Sequence, residues 1–347
     1  MEGGAIRQRA ARASSPLVME TSESTELCFP QLNTSCLKTK RPHYEATLTY
    51  ILVFSVSLLT LFLNLLVIIS ISHFKQLHTP SNLLLLSLAV SDFIVGLLML
   101  FQIELIDGCW LLGDIMCSLY LYLVYIITAA SLGTMVLISV DRYVAICYPL
   151  HYSTKVTQQK VKIFISLCWL FSVMYQGMNV KDNLQQPGRF NSCFGECIIA
   201  FNCIARITDL VVSFIVPITV IVVLYVRVFV VAVSQAHAVR SHIAVVSLAP
   251  RSLKVTAKRS ELKAARTLGV LIGVFLMCLL PYYCISLSGN DKIFETPAAA
   301  VVIYFYYFNS CINPAIYAFF YSWFRKSVKL IVTLKILQPD SCEVNMQ

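Results

Sequence analysis

Seven runs of apolar residues, at 48–71, 82–103, 115–140, 163–180, 208–226, 267–288 and 298–321, set the rhythm of this chain. Each is long enough to cross about 30 Å of hydrocarbon as a helix. In lipid the backbone has to satisfy its own hydrogen bonds, so helices follow; barrel strands would be shorter and would alternate. The pattern predicts an all-α membrane protein, a seven-transmembrane helix bundle. Behind the last run, residues 322–331 mix apolar and basic side chains, which predicts a short amphipathic eighth helix on the inner face. The chain divides into an outer segment at 1–45, the bundle at 46–322, and an amphipathic helix with a tail at 323–347. No internal repeat is evident, which argues against inverted-repeat transporters.

Composition sharpens this picture. Of 347 residues, 58% are hydrophobic and only 13% charged, too few to clothe a soluble protein of this size, so lipid covers much of the surface. The net charge is +9, but the basic residues sit in short loops and form no patch with interleaved aromatics, which excludes nucleic acid as a partner. Most of the 27 lysines and arginines fall on one side of the predicted bundle, among them Lys75, Lys155, Lys160, Arg227, Lys258, Arg259, Arg325 and Lys326. That side is cytoplasmic, which puts the N-terminus outside and the C-terminus inside a multi-pass plasma-membrane protein. Residues 1–45 have no apolar core for a cleavable signal, so the first span is expected to act as an uncleaved anchor. Met19 opens an acidic stretch and is the expected true start, with residues 1–18 an extension. The sequon Asn33-Thr34-Ser35 lies on the outer side and is a glycosylation candidate. Of thirteen cysteines, Cys28, Cys36, Cys109, Cys117, Cys193 and Cys197 lie outside the apolar runs or at their edges, where an oxidising compartment favours disulfides. Cys193 and Cys197 lack the nearby histidines of a zinc site.

Ionisable groups at membrane depth are expensive, so each needs a reason. Asp92, with Asn64, Ser131, Asn309, Ser310 and Asn313 at similar depth, suits either a small hard cation, sodium first, or a hydrogen-bonded buried carboxyl. Asp141-Arg142-Tyr143 closes the third span at the inner face, and Glu261 opens the sixth. An Arg142–Glu261 pair would tie two helix ends into a closed state; the alternative is two solvated charges. Pro217, Pro281 and Pro314 lie inside spans five, six and seven and kink them. Asp209 lies two turns before Pro217, near the outer end of span five. It faces a cavity as a counter-ion for a cationic ligand, or it pairs with Arg206 three residues earlier. Tyr125, Tyr282, Tyr283, Tyr304 and Tyr307 cluster in the outer halves of spans three, six and seven, as a cation–π lining or as interface-belt aromatics. No nucleophile–base set, phosphate loop or zinc motif supports an enzyme, and no cofactor beyond a regulatory sodium ion is implied.

Together, Asn64, Ser91-Asp92, Cys117, Asp141-Arg142-Tyr143, Trp169, Pro217, Pro281 and Asn313-Pro314-Ala315-Ile316-Tyr317 resemble the rhodopsin-like receptor signature. Closer still, Ser70 through Pro80, Asn309 through Lys326, and Cys28-Phe29-Pro30 with Ser35-Cys36 resemble the trace amine-associated receptors. The resemblance covers roughly residues 26–335. It implies a receptor, in most members olfactory, that binds small amines outside and activates a stimulatory heterotrimeric G protein inside, raising cyclic AMP. It implies disulfides from Cys117 to Cys197 and from Cys28 to Cys193. The amine site it implies is lined by Val124, Tyr125, Thr128, Tyr282, Tyr283 and Tyr307. The family's usual aspartate anchor, seven residues after the disulfide cysteine, is Val124 here. A divergent fish subset carries aspartate in helix five, where Asp209 stands, and this turns the reading of Asp209 towards a ligand carboxylate. Glu104 and Asp107 would suit a second amine, or are surface charges. Leu279 stands where the family has a tryptophan that senses ligand, which leaves open a non-signalling or differently liganded receptor. In the implied mechanism helix six swings about Pro281, the Arg142–Glu261 tie opens, and Tyr225 and Tyr317 support the freed Arg142. The rival from another class is an ion or proton transporter using Asp92.

Overall fold

The structure, a computed structural model, describes residues 26–38, 42–199, 203–245, 269–270, 272–285 and 297–346. Glu261, the segment before residue 26 and part of span six lie outside the described residues. Among the described residues the chain is helical, with only isolated β-bridges beside the helices. Five helices are long and apolar enough to cross a membrane: α1 (His43–His73), α2 (Pro80–Asp107), α3 (Gly113–Cys147), α4 (Gln158–Asn179) and α5 (Ile204–Val231). The sixth run forms α6 (Ile272–Ile285) and the seventh α7 (Pro297–Phe320). The predicted amphipathic segment is α8 (Ser322–Val332).

Most described helices outrun the apolar runs that predict them, because turns outside the hydrocarbon stay helical when their ends are capped. Thr79 accepts the Asn82 N–H at 3.2 Å and Pro80 fills the first turn of α2, where a missing N–H costs nothing. Gly108, at φ 71°, ends α2 in the left-handed conformation that glycine adopts without strain. In α5 a π turn, Val211–Ile215, precedes Pro217, and the helix resumes behind it. The extra residue re-aims the outer third of α5, which carries Asp209.

Helix α3 packs against α2, α4 and α5, while α1 and α7 close the opposite side. The inner seam is Leu84, Leu88, Leu132, Met135, Ile221, Phe275, Leu279 and Tyr317, all buried. Phe164, Leu167, Leu170 and Phe171 on α4 are exposed apolar side chains, the face expected of a helix against lipid. At Gly133 an added Cβ would collide with Cys168 Sγ, so a small residue lets α3 approach α4 closely.

Behind α8 the chain turns back across the inner end of α1. Ser341 Oγ meets His73 Nε2 at 3.0 Å, Lys75 pairs with Glu343 at 3.1 Å, and the Met346 N–H donates to Gln76 Oε1 at 3.0 Å. Met346 is buried with Phe74 and Leu77. The ion pair is exposed and contributes little; burying methionine against phenylalanine and leucine contributes about 1.5–3 kcal/mol. Met346→Asp is therefore expected to release residues 335–346, seen as faster amide hydrogen exchange there with the bundle unchanged. Unaltered exchange would show that the apolar contact does not hold this strap.

Candidate functional site

At the end of the bundle where α1 begins, three disulfides pin the N-terminal segment and the loop behind α4 over the helices. Cys117 bonds Cys197, the pair the resemblance implies. Cys28 does not bond Cys193: it bonds Cys109, and Cys193 bonds Cys36. The reason is local. Leu27 and Leu37 pair antiparallel, and the hairpin they close docks its far strand on the loop: Cys36 N–H donates to Phe194 O at 3.0 Å and Phe194 N–H to Thr34 O at 2.8 Å. That register sets Cys36 beside Cys193 and turns Cys28 towards the end of α2. Asn33 is exposed in the turn of the same hairpin.

Beneath this cover lies a layer of tyrosines. Tyr283 stacks on Phe214 with ring centroids 3.8 Å apart, and Tyr282 meets Tyr283 at 5.4 Å and Tyr306 at 5.1 Å. The Thr128 hydroxyl donates to Val124 O at 2.8 Å and is hydrogen-bonded to the Tyr306 phenol. Tyr307 donates to Gln102 Oε1 at 2.9 Å, and Tyr120 donates to the same oxygen at 3.2 Å. Tyr125 lies within electrostatic range of Tyr282, Tyr306, Asp209 and Arg206. Helices three, five, six and seven thus bring Tyr125, Thr128, Tyr282, Tyr283 and Tyr307 into one neighbourhood, with Val124 one turn above Thr128. Tyr304, one turn before Tyr307 on α7, is half-buried with its hydroxyl oxygen covered.

Asp209 borders this layer. Its Oδ1 accepts from Ser213 Oγ at 2.8 Å, Gln176 Nε2 at 3.0 Å and Asn179 Nδ2 at 3.4 Å. All three donors are neutral, so they orient the carboxylate without cancelling its charge. Glu104 and Asp107 have structural partners instead. Asp107 accepts from the Tyr50 phenol at 2.7 Å, and Glu104 Oε2 accepts the Leu111 N–H at 3.0 Å.

Leu279 is buried at the floor of the tyrosine layer. With Phe275, Thr128, Ser131, Tyr306, Asn309 and Ser310 it lines a cavity of about 20 Å³, room for water-sized occupants. Below it, Asn313 Nδ2 donates to Asp92 Oδ2 at 2.8 Å. Asp92 Oδ1, Asn309 Oδ1 and Asn313 Oδ1 are buried acceptors without a hydrogen-bond partner among the described residues. A carboxylate and amide oxygens are the ligand types a hard cation takes, and leaving them bare is costly.

At the inner end, Arg142 bonds its neighbour Asp141 at 2.6 Å and also donates to Ser81. Ser81 donates to Asp141 at 2.8 Å, and Tyr152 donates to the other carboxylate oxygen at 2.7 Å. Burial and the Asp141 charge push the Tyr152 phenol up to about 12, so it remains a donor at any physiological pH. Tyr143 packs edge-on against Tyr148 at 5.8 Å. Tyr225 lies so close to Gly269 that a side chain there would collide with its phenol. Tyr317 is buried beside Tyr321, one turn beyond Pro314. Glu261 lies outside the described residues, so the tie in view is Arg142–Asp141–Ser81–Tyr152, from α3 to α2 and the short helix Pro149–Lys155. Asp141→Asn removes the charge all three donors share. In the receptor that the resemblance implies, it is expected to raise ligand-independent G-protein activation by about fivefold, near 1 kcal/mol. Basal nucleotide exchange in membranes measures this, and a value equal to the parent would mean the cluster does not hold the resting state.

Sequence reasoning named the acids and most tyrosines here but missed Ser81, Tyr152, Gln176, Asn179, Ser213 and Tyr306. Tyr306 had a signal, adjacency to Tyr307 in an aromatic run. The others are ordinary polar residues until the helices pack.

Residues 63–317 match the family described as 7 transmembrane receptor (rhodopsin family). The chain is 36% identical over 337 residues to trace amine-associated receptor 13c of Danio rerio, covering 93% of this chain and 97% of that protein. It is 37% identical over 331 residues to trace amine-associated receptor 9 of Rattus norvegicus (92% and 97% covered) and 33% identical over 331 residues to trace amine-associated receptor 4 of Mus musculus (92% and 95%).

Proposed function

This chain belongs to the rhodopsin family of seven-transmembrane receptors, among the trace amine-associated receptors, and from that premise we propose that it detects small amines outside the cell and signals through a stimulatory G protein. The observation that carries the reading is Asp209. It is a carboxylate held by neutral hydrogen-bond donors alone, at the edge of a tyrosine layer formed by α3, α6 and α7. An ammonium group there gains a charge-assisted hydrogen bond and aromatic faces in a water-poor site. Val124 offers no charge on α3, so Asp209 takes the role of anchor.

The N-terminus lies outside, in agreement with the excess of basic residues on the opposite side and with disulfides in the N-terminal segment. Asn33 is the glycan acceptor. An amine that binds better when α6 has swung about Pro281 shifts the receptor towards that state by its difference in affinity. Leu279 cannot act as the bulky sensor of its relatives; Tyr282 and Phe275 carry the contact from ligand to core. Arg142 then leaves Asp141 and Ser81 for the G protein. Sodium held by Asp92, Ser131, Asn309 and Asn313 favours the resting state. An olfactory role follows from the family premise.

The test is cyclic AMP in cells displaying the chain, challenged with mono-, di- and polyamines. A saturable rise with at least one amine is expected. Silence to every amine at normal surface expression would favour a receptor for another ligand class or one that does not signal.

A further inference from the structure

The bonding around Asp209 is lopsided. Gln176, Asn179 and Ser213 all donate to Oδ1, and none of these bonds reaches Oδ2. Gln176 is the centre of the set. It is 1% exposed, its carbonyl accepts from Asn179 Nδ2 at 3.3 Å, and its amide nitrogen donates onward to Asp209 and, at 3.3 Å, to Ser213 Oγ. Asn179 thereby fixes which way the Gln176 amide faces, and Gln176 fixes the Asp209 carboxylate. These bonds come from α4 and from the next turn of α5. Tyr125 of α3 and Tyr283 of α6 are within electrostatic range of the carboxylate.

A carboxylate oxygen accepts about two hydrogen bonds in good geometry. Oδ1, with three donors on it, is full. One oxygen remains, and this limits what the anchor recognises. An alkylammonium needs a single acceptor for its N–H. A guanidinium or amidine gains its advantage by presenting two parallel N–H groups to both oxygens of one carboxylate. Here the second oxygen is taken.

We propose that Gln176, held by Asn179, is a positioning and specificity-determining residue that dedicates Asp209 Oδ1 to the protein and leaves Oδ2 alone for the ligand, so that the site selects alkylammonium over guanidinium ligands. This rests on Asp209 being the amine anchor. Gln176 touches no ligand in this account; it acts through Asp209.

The experiment compares concentration–response curves for 2-phenylethylamine and 2-phenylethylguanidine at matched surface expression, in the parent, Gln176→Met, Asp209→Asn and the double variant. Methionine keeps the volume of glutamine and removes the donor. The parent is expected to prefer the amine by about tenfold or more, the discrimination of one good hydrogen bond. Gln176→Met is expected to narrow that preference about tenfold, because Asn179, only 3.4 Å from Oδ1, also loses the Gln176 carbonyl that holds it, and Ser213 alone stays firmly on that oxygen. In the Asp209→Asn background the same change is expected to do nothing further. An unchanged amine-to-guanidine ratio in Gln176→Met, while Asp209→Asn still weakens the amine response by about 100-fold, overturns the proposal and leaves the anchor standing. Equal potency in parent and Asp209→Asn overturns the anchor itself. A ligand-free readout covers the case in which neither probe activates: the carboxylate stretch in the infrared difference spectrum, parent minus Asp209→Asn. It is expected to shift in Gln176→Met and in Ser213→Ala, and bands unmoved in both overturn the proposal.

Discussion

Asp209→Asn is expected to raise the amine concentration for half-maximal response by about 100-fold, without loss of receptor from the cell surface. A hydrogen bond to a charged group is worth about 1.5–3 kcal/mol, and every 1.4 kcal/mol is tenfold. The substitution costs more than charge. The asparagine carbonyl still accepts from Gln176, Asn179 and Ser213, so the packing between α4 and α5 survives. Its amide nitrogen then stands where Oδ2 was and turns a donor towards a ligand that also donates. Concentration–response curves at equal surface labelling measure the effect. A shift below about threefold, less than one weak hydrogen bond, would return Asp209 to a purely structural role.

The second large effect concerns the outer disulfides. Replacing either cysteine of a native bridge with serine is expected to cost about 2–5 kcal/mol of stability. The pairing makes a sharper statement than the magnitude. Cys28→Ser and Cys109→Ser break one bond, so together they lower the melting temperature no further than either alone. The same holds for Cys36→Ser with Cys193→Ser. Cys28→Ser with Cys193→Ser breaks two bonds, and the losses add. Thermal unfolding of the purified receptor in detergent distinguishes these patterns, and additivity within Cys28 and Cys109 would contradict the connectivity.

The spans were legible because lipid imposes a length and a composition that few other structures share. Their ends were not. Helix α3 runs to Cys147, seven residues past the predicted end at 140, because Asp141 and Arg142 remain helical where Ser81 and Tyr152 satisfy their side chains. Asp209 stood out as an acid in an apolar run, yet its meaning depended on which neighbours reached it. Arg206 is close in sequence; Gln176 and Asn179, more than 25 residues away, reach it only once α4 lies beside α5. Asp107 illustrates the same point in reverse. It looked available for a second ammonium, and the single Tyr50 hydroxyl on α1 is shared between its two oxygens. Disulfide connectivity was illegible for a related reason: the pairing of Cys36 with Cys193 is set by a backbone register between Ser35 and Phe194 that no spacing encodes. The strap from Ser341 to Met346 carried no signal, since its few apolar residues matter only against Phe74 and Leu77.

The account's central claim is that the ligand's positive charge is met by Asp209. The most direct test changes both partners: 2-phenylethylamine against its neutral counterpart 2-phenylethanol, on the parent receptor and on Asp209→Asn. If charge meets charge, removing either partner weakens the response, and removing both costs little more than removing one. The predicted coupling is about 2 kcal/mol, near 30-fold in potency. Potency changes that simply multiply, with no coupling, would contradict the claim, because ligand charge and Asp209 would then act independently.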